Sequence, residues 1–155
     1  MTEQQIDATA VDPAEFARSV ATTPAEQLAD GMRSPLRGQI LGEIFRRMTE
    51  HVRPDRIQGL DAVMHWKITG RPDGGYDHYE VVIGGGSCTL SEQPQHEPRV
   101  TFKIDGVDFL RLVTGNASGP ILFTTGKLKI EGDLMFAATA AGLFKIPSAG
   151  GPAAA

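Results

Sequence analysis

His65 and His78 are the residues of this chain whose type and spacing most invite a chemical reading. Strand parity, set out below, puts both on the polar side of neighbouring strands, where two imidazoles could begin a metal site. A zinc site needs three or four protein ligands, and no third stands at a fitting spacing. Two solvated surface histidines is the reading that remains. Cys88, the sole cysteine, points inward with Leu90 and away from both histidines. That disfavours a Cys–His nucleophile and favours a buried structural thiol. Gly84-Gly85-Gly86 runs into a strand rather than a helix N-terminus, so it reads as a hairpin turn, not a phosphate loop. Asp105 and Asp108 open a helix, one as its cap and one as a partner for the helix dipole. Lys127 and Lys129 project from the polar sheet face, solvated or set toward an acidic partner or headgroup. These side chains supply no catalytic residue, no metal site and no cofactor.

The elements that hold them follow from hydrophobic period. Asp12-Pro13-Ala14-Glu15 and Thr23-Pro24-Ala25-Glu26 each set a cap residue before a proline and close with glutamate, which predicts two short helices, to about Val20 and about Met32. Ser34-Pro35 opens a longer helix to about His51. Leu36, Ile40, Leu41, Ile44, Phe45 and Met48 form its apolar side, Arg37, Glu43, Arg46, Arg47 and Glu50 lie opposite, and Pro54 ends it.

From Asp61 the period becomes two. Ala62, Met64, Trp66 and Ile68 share one face; Tyr79, Val81 and Ile83, then Cys88 and Leu90, then Val100, Phe102 and Ile104, then Leu128 and Ile130 repeat the pattern. Five strands with one apolar and one polar face predict an α+β fold, a largely antiparallel five-stranded sheet with helices on one face. Asp105 caps a helix carrying Phe109, Leu110 and Val113, ended by Thr114-Gly115-Asn116. Asp133 begins a last helix to about Phe144, stopped by Pro147.

Composition narrows the function classes. At 155 residues the chain fits one core, and its net charge of −4 with no basic run argues against nucleic acid. A single cysteine excludes an internal disulfide. The polar start Met1-Thr2-Glu3-Gln4-Gln5 does not read as a signal peptide. No apolar run approaches the ~20 residues of a membrane span, and the tail is not of the Ser-Lys-Leu type, so a cytoplasmic protein is expected.

Residues 134–144 carry the functional signal: they hold no charge, and their middle is built of Ala137, Ala138, Thr139, Ala140, Ala141 and Gly142. A surface helix normally has a polar face, so this one is expected to be covered on most sides, either by closely fitting neighbours or by a ligand. With the Ile121-Leu122-Phe123 cluster, the Phe109 helix and the inner sheet face, it could wall a dry cavity. The walls would be Met64, Trp66, Ile68, Val81, Phe102, Phe109, Val113, Ile121, Phe123, Leu134, Met135, Ala138 and Phe144.

Val100-Thr101-Phe102-Lys103-Ile104, Asp108-Phe109-Leu110 with Val113-Thr114-Gly115, and above all Gly126-Lys127-Leu128-Lys129-Ile130-Glu131-Gly132-Asp133 resemble the sterol carrier protein 2 family over about residues 36–146. The resemblance implies a five-stranded sheet with helices on one side enclosing an apolar lipid tunnel. It also implies binding of fatty acid, fatty acyl-CoA or sterol-like lipid without cofactor or catalysis. Phe123-Thr124-Thr125 departs from the Phe-Phe-Gln of many members. The domain reading is then an N-terminal helical extension over 1–33, the lipid-binding domain over 34–147 and a disordered tail over 148–155. Non-catalytic lipid carriage is the leading function, with transient membrane contact. A tailoring enzyme using the same pocket and a protein-interaction module with a vestigial pocket are the rivals.

Overall fold

The computed structural model describes the backbone of residues 13–140 and 143, and side chains from residue 18. The expected cap at Asp12, the wall residue Phe144 and the tail lie outside the described residues. Helices α1 (Pro13–Thr22) and α2 (Ala25–Met32) come first. Thr23 does not cap α2: its hydroxyl donates back to the Ser19 carbonyl at 2.5 Å, and Pro24 takes the cap position. A threonine that still sits within reach of the preceding turn bonds there instead.

Helix α3 (Arg37–Glu50) buries Ile40, Leu41, Ile44 and Phe45 along one stripe, as its period requires. Arg37 departs from expectation. It is buried, because the carbonyls at the ends of α2 and of the first strand converge on its guanidinium. Pro54 does not merely end α3 but opens a one-turn helix, α4 (Pro54–Ile57), whose Ile57 is buried. A missing N–H costs nothing at a first helical position.

Strands β1 (Ala62–Thr69), β2 (Asp77–Gly84), β3 (Ser87–Ser91), β4 (Val100–Asp105) and β5 (Leu128–Gly132) form one sheet in the order β3-β2-β1-β4-β5. All neighbours are antiparallel except β1 and β4. Gly84 pairs with Ser87 across Gly85 and Gly86, both at positive φ, so the glycine run is the expected hairpin turn. The one parallel pair arises because residues 92–99 carry the chain back across the sheet to start β4 beside β1. Helices α5 (Gly106–Val113) and α6 (Gly119–Thr124) then lead to the edge strand β5, and α7 (Leu134–Ala140) follows it. Asp105 caps α5 by accepting from the Val107 amide at 2.9 Å, and Asp133 caps α7 by accepting from Phe136 at 2.9 Å.

The core lies between the inner sheet face and the helices, with Phe45 of α3 and Phe109 of α5 fully buried. Val20 of α1 and Leu28 and Met32 of α2 are buried in the same core, and both helices pack against α5.

Candidate functional site

Strand register arranges the inner face in rows. Tyr79, Trp66, Phe102 and Ile130 form one row across β2, β1, β4 and β5; Leu90, Val81, Met64 and Val100 form the next. Trp66 stacks on Phe102 at 4.4 Å between ring centroids, and Phe45 descends from α3 to stack on Tyr79 at 4.2 Å. Phe109 closes the cluster, 5.0 Å from Phe45 and 5.5 Å from Trp66. Tyr79 is pushed up to about 12, first by burial and then by Asp77 and Glu92, so its phenol stays neutral. The chemistry of this face is mainly dispersion and desolvation of apolar surface, and the Trp66 Nε1–H is buried there without an acceptor among the described residues.

Six expected wall residues, Met64, Trp66, Ile68, Val81, Phe102 and Phe109, are brought together here and buried. Val113 is half-buried at the end of α5 and packs against the same cluster. The remaining described ones are not inside. Ile121 and Phe123 are 62% and 44% exposed, and Leu134 and Met135 are 54% and 83% exposed. Ala138 is exposed as well. The expectation that the last helix would be covered on most sides therefore fails over its described turns. Helical period explains the outcome. In α6 only Leu122 turns inward, and in α7 Phe136 and Ala140, four residues apart, take the inner stripe. Their neighbours must then face away. Phe45, Tyr79, Leu122 and Phe136 are among the buried cluster members that the wall reading missed. Phe45 and Tyr79 were legible from the helix stripe and the strand parity.

The outer face differs from the expected row of solvated side chains. His65 and Glu80 are opposite one another on β1 and β2, and both are buried. Residues 92–98 fold back over them. Glu80 Oε2 accepts from the Gln95 and His96 amides at 3.1 and 2.8 Å and from His65 Nε2 at 3.1 Å, while Oε1 meets His96 Nδ1 at 3.2 Å. Burial pushes the Glu80 carboxyl up, but the His96 amide and ring, the His65 ring and the Gln95 amide outweigh it and hold it at about 2. With His65 Nε2 donating to that carboxylate, its Nδ1 accepts from His78 Nε2 at 3.0 Å. His78 is lowered by burial, by His65 and by Lys67. Thus His65 is a buried hydrogen-bonded group rather than a solvated one. No group of three or more His, Cys, Asp or Glu among the described residues is placed to hold a metal.

Cys88 lies opposite Ile83 on the inner face, and burial pushes its thiol up to about 11. A thiol so raised is a poor nucleophile at neutral pH. Lys127 and Lys129 are exposed, and Lys129 faces Lys103 across β4 and β5. No helix among the described residues is long and apolar enough to cross a membrane.

The profile of the SCP-2 sterol transfer family matches residues 41–145. Hydroxysteroid dehydrogenase-like protein 2 of Bos taurus is 27% identical over 95 residues, 61% of this chain but 22% of that protein. The Homo sapiens protein of the same name is 26% identical over the same shares. The chain thus spans about a fifth of the length of these relatives. Among solved structures, the inverting sec-alkylsulfatase Pisa1 from Pseudomonas sp. superposes with TM-score 0.58 at 17% identity, over 70% of this chain and 17% of that one. Sterol carrier protein 2 from Yarrowia lipolytica does so with TM-score 0.49 at 19% identity, over 90% and 92%.

Proposed function

Because the chain belongs to the SCP-2 sterol transfer family, we propose that it binds and carries one apolar lipid between the inner sheet face and its helices, without catalysing a reaction. The observation that carries the reading is the one-sided sheet. The inward side chains of five strands, Met64, Trp66, Ile68, Val81 and Phe102 among them, are apolar and meet Phe109 and Val113 of α5. Fatty acid, fatty acyl-CoA and sterol-like molecules are the ligand classes. Each methylene withdrawn from water favours binding by about 0.8 kcal/mol, so a chain of ~14 methylenes offers roughly 11 kcal/mol gross. Ordering costs of several kcal/mol come off that figure.

Access runs between α6 and α7 in this reading. Ile121 and Phe123 on one helix and Leu134, Met135 and Ala138 on the other are the exposed apolar residues that would touch an incoming lipid or, transiently, a membrane surface. Phe144 would complete the wall. Binding is favoured over chemistry by the Cys88 thiol of the inner face, which burial raises, and by the placement of His65 and Glu80 on the outer face, where they engage each other. The proposed setting is the cytoplasm.

Organic extraction of the purified protein should release a co-purified lipid, and the stripped protein should take up a fluorescent fatty acid with saturation at one per chain. A stripped protein that takes up neither fatty acid, acyl-CoA nor sterol would overturn carriage and leave the fold as an interaction module.

A further inference from the structure

The indole N–H of Trp66 is a buried donor without a partner on the largely apolar inner face. Trp66 stands at the middle of the central strand, 7% exposed, between Tyr79 and Phe102 in register and beneath Phe45 and Phe109. A buried tryptophan usually finds an acceptor for its N–H, and a buried donor left without one carries the full cost of its lost hydration. Here Nε1 is the one buried side-chain nitrogen or oxygen among the described residues without a partner.

We propose, resting on the lipid-carrier reading, that the bound lipid carries a neutral hydrogen-bond-accepting oxygen within its buried part, and that Trp66 Nε1–H donates to it. The oxygen is a hydroxyl, ketone, ether or ester carbonyl. A carboxylate does not suit this place, because burying an ion requires a counter-charge. Arg37, the buried arginine among the described residues, already binds Asp77 at 2.7 Å and the carbonyls of Met32, Ile68 and Thr69. Tyr79, held neutral, adds no charge to the row. A ligand whose only polar group is a terminal carboxylate would leave the Trp66 donor unmatched. A ligand with a mid-body oxygen would satisfy it, so the site discriminates between lipids of equal length.

Trp66 is the only tryptophan of the chain, so the 15N-labelled, delipidated full-length protein shows a single indole N–H resonance. The protein is titrated with stearate and with keto-stearates whose carbonyl stands at successive positions along the chain. At one carbonyl position the indole proton should move downfield and exchange more slowly with water, whereas stearate should cause neither change. Trp66→Phe should lose the discrimination, its affinity for that keto-stearate falling about fivefold to tenfold further than its affinity for stearate. The inference is overturned if stearate and every keto-stearate move the resonance alike, as they would if the N–H were already held against the face of a neighbouring aromatic ring. It is also overturned if Trp66→Phe weakens both ligand types equally. Failure of every ligand to bind defeats the carrier reading itself, a result distinct from binding without discrimination.

Discussion

Arg37 Nε donates to Asp77 Oδ2 at 2.7 Å, tying the first turn of α3 to the start of β2. The same guanidinium donates to Met32, Ile68 and Thr69 carbonyls at 3.1, 2.6 and 3.1 Å. One planar fork thereby closes the ends of α2 and β1 as well. Arg37→Met should lower stability by about 3 kcal/mol, since a partly buried ion pair is broken and buried carbonyls lose their donor. Arg37→Lys should recover less than half of that loss, because an ammonium keeps the charge but not the fork. Urea unfolding of the three proteins measures it; a lysine variant as stable as wild type would reduce the clamp to simple charge pairing.

That clamp also bears on how the first helices attach. Removing residues 1–33 deletes the Met32 carbonyl bound by Arg37 and the buried Val20, Leu28 and Met32. The truncated chain should still unfold cooperatively but with a clearly lowered midpoint, as several buried side chains at about 1.5–3 kcal/mol each are lost. Calorimetry on the truncated chain decides it. An unchanged midpoint would make the segment a true extension.

Strand parity is the reason so much of the fold was legible. Where one face of a sheet meets water and the other a core, Met64, Trp66 and Ile68 must share a side, and they do. The errors fall where parity is silent. Glu80 and His65 occupy outward positions, and only the return of residues 92–98 over that face buries them. A loop that is polar in sequence gives no sign of where it will fold. In the last helix the absence of charge points to burial, yet Met135 and Leu134 are exposed. Apolar composition alone does not choose a face: Phe136 and Ala140, four residues apart, take the inner stripe and leave their neighbours outward.

Acidification should weaken the fold in two steps. His78 is lowered from its ordinary 6.5, so its contribution is complete above that value and is lost as pH falls through the lower folded one. Glu80 is held at about 2 against an ordinary 4.5, so its contribution is complete above 4.5 and is lost as pH falls toward 2. Glu80→Gln should cost about 2–3 kcal/mol at neutral pH and should remove the lower step. Hydrogen exchange at the Gln95 and His96 amides should quicken in that variant. A lower step that survives Glu80→Gln would assign it to other carboxylates.

Cys88 offers a chemical check on the packing of the inner face. With its thiol raised from 9.0 to about 11, the thiolate fraction near pH 8 falls about a hundredfold below that of an unperturbed cysteine. Alkylation by iodoacetamide should slow by at least that factor and become fast in urea. Rapid labelling of the native protein would place β3 away from the sheet for part of the time.

The two glycines that bracket the Lys127 to Glu131 run should differ sharply. Both have positive φ, +81° at Gly126 and +105° at Gly132. A Cβ on Gly126 meets nothing within 4 Å, whereas on Gly132 it would lie 2.6 Å from the Arg99 carbonyl oxygen and 3.2 Å from Val100 Cα. Main chain in a paired strand cannot swing aside as a flexible side chain can. Gly126→Ala should therefore cost only backbone strain, about 1–2 kcal/mol. Gly132→Ala adds an overlap with β4 and should cost roughly twice that or more. The same shift would disturb the Asp133 amide, which donates to Arg99 O at 3.0 Å, and the Arg99–Asp133 pair at 2.9 Å. Since Asp133 caps α7, Gly132→Ala should also open that helix to protease while Gly126→Ala leaves it closed. Paired urea titrations and limited proteolysis test both parts. Equal losses in the two variants would mean that the close approach of β5 to Arg99 relaxes easily, and that the second glycine serves only its backbone angle.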